Sequence, residues 1–71
     1  MRYMVVVEHG PTSVGAYVPD LPGCVAVGDS EHEALALIRE AIELHLEALQ
    51  EQGLEIPPPL SSSALVEVRA A

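Results

Sequence analysis

Val18-Pro19-Asp20-Leu21-Pro22-Gly23-Cys24 packs two prolines and a glycine around one acidic side chain. Proline fixes φ at the second position of a turn and glycine supplies positive φ, so the stretch reads as a stiff corner between two strands. Apolar β-branched runs flank it at residues 14–18 and 25–28. Pro19 and Pro22 close off the earlier run, because a residue without an N–H cannot hold a central ladder position. Two readings of the corner stand side by side. It is a rigid β-connection, with Pro19, Pro22 and Gly23 as its structural turn, or it also forms a recognition surface, with Leu21 giving an apolar contact and Asp20 a charge.

Outward on the N-terminal side, residues 3–8 are β-branched and apolar on both faces, the pattern of an interior strand. His9-Gly10-Pro11-Thr12-Ser13 reads as a turn, so the first three strands predict an antiparallel meander. On the C-terminal side, Ser30 and Glu33 have the spacing of a capping box, placing the helix start at Glu31, and Gly53 suits the position just past its end. Leu35, Ile38, Ile42, Leu46 and Leu49 form a stripe that can cover a sheet. Leu37, Ala41, Leu44 and Ala48 form a second stripe, read either as a broad core face or as a surface buried by another protein. Glu40, Glu43, Glu47 and Glu51 hold the polar side, with Arg39 placed to pair with Glu43. Pro57-Pro58-Pro59 predicts an extended connector, leading to a last strand at residues 64–68.

These elements give an α+β fold, β-β-β-α-β, with one helix packed on one face of a mixed four-stranded sheet. A right-handed crossover places the last strand beside the first, in order 3-2-1-4.

A chain of 71 residues makes one domain, with a core of Val, Leu, Ile and Ala because Phe and Trp are absent. At this size self-association is a natural source of stability. Eleven acidic against three basic side chains give a formal charge of -8. That balance repels phosphate backbones, so no direct nucleic-acid binding is expected. It suits a basic protein partner, and it equally suits simple solubility. The lone Cys24 excludes an internal disulfide and reads as a small buried side chain. The N-terminal apolar run breaks at Glu8 and no stretch is long enough to cross a bilayer, so a cytoplasmic protein with no membrane association is expected.

No cofactor, metal or catalytic site is expected. His32 and His45 on one helix stand about 20 Å apart, too far to share a metal. Glu8 and Asp20 end strands, but the helix acids face away from the sheet, so no third carboxylate converges on a nuclease-type metal site.

Tyr17-Val18-Pro19-Asp20-Leu21-Pro22-Gly23-Cys24, then Val27-Gly28-Asp29-Ser30, Glu33-Ala34, Glu40-Ala41-Ile42 and Ile56-Pro57-Pro58-Pro59, resemble the N-terminal domain of HicB-type antitoxins. The resemblance implies a partial ribonuclease H-like domain without nuclease activity. It also implies a partner, a small basic HicA-type toxin that cleaves mRNA, and self-association as a dimer or higher homo-oligomer. Many such antitoxins carry a C-terminal DNA-binding domain; residues 1–71 are expected to be a single HicB-like domain without one. The expected function is to bind and mask the toxin, with Asp20, Leu21, Glu40, Glu43 and Glu47 as contacts. The alternative is a stand-alone homo-oligomeric module that binds a small molecule or an unrelated protein.

Overall fold

The computed structural model describes residues 1–70. Three strands, β1 (Val6–His9), β2 (Val14–Tyr17) and β3 (Val25–Gly28), precede one helix, α1 (Glu31–Glu51). The strands form an antiparallel sheet in the order β1-β2-β3. Val7, Ala16 and Ala26 lie opposite one another across it, as do Val6, Tyr17 and Val25. Side chains alternate between faces along a strand. The first trio therefore packs toward the helix with the core, and the second turns outward.

The corner closes on itself. Leu21 N–H donates to the Val18 carbonyl at 3.1 Å, and Cys24 N–H donates to the Leu21 carbonyl at 3.0 Å, making two successive turns. Pro19 and Pro22 occupy the second position of each, where a fixed φ is preorganised. Gly23 has φ +84°, a conformation side chains disfavour. Val18 N–H to the Cys24 carbonyl, 3.2 Å, extends the β2–β3 register into the corner.

Ser30 Oγ accepts from Glu33 N–H at 3.1 Å, and Glu33 Oε1 accepts from Asp29 N–H at 3.0 Å. Both bonds satisfy donors at the entry to α1. At the exit, Gly53 N–H donates to the Gln50 carbonyl and Leu54 N–H to the Leu49 carbonyl, 3.1 and 2.9 Å, with Gly53 at φ +71°. That pair of bonds is a Schellman motif. Helix and sheet meet most closely at Gly28, where a Cβ would stand 2.7 Å from the Ala34 nitrogen. The core is Val14, Ala16, Val18, Leu21, Cys24, Ala34 and Ile38, all small or medium in volume.

The fourth strand does not form, so the expected four-stranded β-β-β-α-β sheet in order 3-2-1-4 is corrected to a three-stranded antiparallel one. β1 is an edge and β2 the central strand. Residues 64–68 are exposed and outside any strand. Two anchors explain this. Tyr3 Oη–H donates to the Pro57 carbonyl, and Asp20 accepts from Ser61 N–H and Oγ–H at 2.9 and 2.8 Å. Continuing the β1–β2 register puts Tyr3 opposite Asp20, so the connector crosses the end of this hairpin from the β1 side to the β2 side. It leaves its own β1 edge behind, and its three prolines have no N–H to offer a ladder. The radius of gyration, 14.2 Å, exceeds the roughly 11 Å of a compact chain of this length.

Candidate partner-binding surface

α1 carries six glutamates and one arginine over 21 residues. Ala34 and Ile38 face the core, with Ala41, Ile42 and Leu46 half-buried beside them. The opposite side is free. Leu37, Glu40, Leu44, Glu47 and Glu51 recur at alternating intervals of three and four residues, so they line one ridge. All five are exposed, Leu44 at 65%. An acidic ridge with one largely exposed leucine, Leu44, and one partly exposed, Leu37, can offer a basic surface both charge pairing and apolar area. Glu43 lies to one side, with Oε1 3.4 Å from Arg39 Nε.

Glu40, Glu43 and Glu47 are thus solvent-facing on the helix, as their spacing implies. Asp20 and Leu21 are placed differently from the exposed corner pair expected of them. Leu21 is 1% exposed and among the largest fully buried side chains. A partner cannot touch it without opening the fold. Asp20 is half-buried, and both its oxygens are engaged by Ser61. Pro19 and Pro22 shape the corner's two turns, while Ser30, Glu33 and Gly53 bracket α1.

Sequence reasoning missed the Asp20–Ser61 clasp, because nothing in the spacing of an aspartate and a serine 41 residues apart announces it. The stripe of Leu37, Ala41, Leu44 and Ala48, open between a broad core face and a surface for another protein, divides in the structure: Ala41 is half-buried, whereas Leu37 and Leu44 are exposed and align with Glu40 and Glu47 on the polar ridge.

Two other surfaces are open. The outer sheet face bears Tyr17, Val25 and Val27, the valines each 63% exposed. An apolar groove of about 390 Å³ runs between the residues leading into β1 and α1, lined chiefly by Met1, Tyr3, Val5, Ile38, Ile42 and Leu46.

His9 Nε2 lies 3.2 Å from Glu31 Oε1 in an exposed pair. Burial pushes the Cys24 thiol pKa up, away from the reactive thiolate. Burial, assisted by the Asp20 charge, raises the Tyr3 phenol. Among the described residues no three His, Cys, Asp or Glu side chains gather as a metal site, and no helix is long and apolar enough to cross a membrane.

Comparison with known proteins supplies the family. The chain is 38% identical over 72 residues to Antitoxin HicB 2 of Photorhabdus laumondii, a match covering all of this chain and 52% of that protein. It is 37% identical over 57 residues to an uncharacterized 14.9 kDa protein from the rep-hol intergenic region of Haemophilus phage HP1, covering 80% of this chain and 43% of the phage protein. It therefore spans about half the length of these two relatives. A UPF0150 protein of Helicobacter pylori is 47% identical over 54 residues, with 76% and 75% of the two chains covered. No solved structure matches. Residues 3–70 match the model of the HicB_like antitoxin of bacterial toxin-antitoxin system, and the chain belongs to that family.

Proposed function

We propose that this chain is a non-catalytic antitoxin that binds and masks a small basic HicA-type toxin, and that the α1 ridge makes the contact. The observation that carries this reading is the ridge itself, Leu37, Glu40, Leu44, Glu47 and Glu51, bare along one side of a capped helix. Net charge of -8 attracts a basic protein over distance, and the two leucines supply the apolar centre that charge alone lacks. Glu43 adds a charge at the flank of the same surface. Asp20 and Leu21 serve it indirectly, by fastening the connector and filling the core.

Family membership supports this assignment, and Antitoxin HicB 2 of Photorhabdus laumondii bears the corresponding name. The test is titration calorimetry of the chain against a HicA-type toxin, alongside the triple variant Glu40→Gln, Glu43→Gln and Glu47→Gln. The expected result is at least about tenfold weaker binding for the variant and a loss of affinity for the original chain as salt rises. Equal affinity of the two chains removes the helix from the interface. No binding by either overturns the toxin assignment.

A further inference from the structure

Leu37, Ala41, Leu44 and Ala48 recur along α1 at four, three and four residues, the alternation of a helix-packing seam, and Glu51 ends the same line. Leu44 is largely exposed and Leu37 partly so, Ala48 is exposed and Ala41 half-buried. None of the four lines the apolar groove beside β1. The seam is thus a separate surface, on the other flank of the helix. Its two edges differ. One carries Glu40 and Glu47, both exposed and seven residues apart, whereas the other is Ile38 and His45, buried and half-buried. Glu43 lies beyond the acidic edge, paired with Arg39, and adds only attraction at a distance.

Spacing decides what fits. The two leucines repeat every seven residues, about 10.5 Å along the axis. Same-face side chains of a strand repeat at about 7 Å, so a strand falls out of step with them. Those of a second helix repeat at the same 10.5 Å and stay in step. Large and small residues also alternate along the seam, each leucine a knob and each alanine a hole, which lets another helix approach closely. Charge settles the sequence of that helix. Acid on one edge calls for Lys or Arg along the facing edge, and a second copy of α1 would bring glutamates there instead. Resting on the ridge as the antitoxin's contact surface, we propose that α1 receives an amphipathic helix of its partner, apolar at three- and four-residue spacing and basic along one edge. The line from Leu37 to Glu51 is about 21 Å long, which matches roughly 14 residues of that helix.

The experiment is titration calorimetry of the whole chain against two synthetic peptides of identical leucine and lysine content. In one the leucines recur at three and four residues with lysine along one edge; in the other the order is scrambled. Both carry the same charge, so acidity alone attracts them equally. The expected result is at least about tenfold tighter binding of the patterned peptide, a preference that Leu44→Ala abolishes. Leu44 is exposed, so the variant keeps its fold, checked by circular dichroism. Equal binding of the two peptides overturns the proposal, as does a preference that Leu44→Ala leaves intact. NMR shifts on the labelled chain are expected at Leu37, Ala41, Leu44 and Ala48, and shifts centred on Met1, Tyr3 and Val5 overturn it. A HicA-type toxin that binds but meets Leu37 and Leu44 with a strand or loop also overturns it. Preference for the patterned peptide without any toxin binding upholds the helix-receiving seam and removes the toxin assignment instead.

Discussion

The corner at residues 18–24 and the tail at residues 64–68 are made of comparable apolar material, yet the first is shut and the second bare. In the corner, Val18, Leu21 and Cys24 are all buried, and three backbone hydrogen bonds join residues no more than six apart. Closing so short a loop costs little chain entropy, and two prolines have already removed part of it. The tail has no such local partner. Its strand composition goes unused, because the connector is anchored at Tyr3 and Asp20 and leaves residues 64–68 exposed. Local closure makes the corner self-sufficient, whereas residues 64–68 remain exposed.

Substitutions probe that contrast directly. Leu21→Ala deletes a fully buried side chain and is expected to cost about 2–5 kcal/mol. In a domain this small, whose whole stability is on the order of 4–11 kcal/mol, that loss approaches unfolding. Leu65→Ala, measured on dilute single chains, is expected to stay within about 0.5 kcal/mol. Urea titrations followed by circular dichroism compare the two, and equal losses would dissolve the distinction. Gly23→Ala forces a side chain into the left-handed region and is expected to cost roughly 1–2 kcal/mol, with Gly23→Asn milder in the same titration.

Asp20→Ala tests the seam between the two regions. Losing the acceptors of Ser61 is expected to cost about 1 kcal/mol at this half-exposed site. Its signature is faster amide exchange at Ser61 with protection in the middle of α1 retained. Uniformly faster exchange would mean the clasp supports the whole fold and not the connector alone.

The smallest effect concerns pH. The folded chain holds the Cys24 and Tyr3 protons above their ordinary values, burial being the first cause in both. A raised folded pKa contributes stability that is complete below the unfolded value and is lost as pH rises through the folded one. Unfolding midpoints should therefore fall on the alkaline side, starting around the ordinary thiol and phenol range of about 8.5 to 10. Alkylation of Cys24 near neutrality should be slow and should accelerate in Leu21→Ala. A thiol that reacts at the rate of a free cysteine would contradict its burial.

The same division explains what was legible in the amino-acid order. The start of α1 at Glu31, its stop before Gly53, the turns at Pro19 and Pro22 and the three-strand meander all rest on residues a few positions apart. The fourth strand was not legible, because residues 64–68 have strand composition but not the position to use it. That error also made β1 an interior strand, since its two-sided apolar character is shared by an edge next to an open groove. Leu21 misled for a related reason. Turn residues are usually exposed, but here two successive turns fold the leucine between them into the core. Of the proposed contact residues, the exposure of the helix glutamates follows from their periodicity. The ridge leucines belong to a stripe whose spacing alone left it open between a broad core face and a partner surface.

The phenol of Tyr3 sits on the Pro57 carbonyl, and the chain has no Trp and only one other Tyr. Its near-ultraviolet absorbance thus comes from two rings, one of them resting on the strap that leads to the tail. The molecule carries a built-in optical gauge: lifting the strap rehydrates that ring and changes the spectrum, with no dye attached.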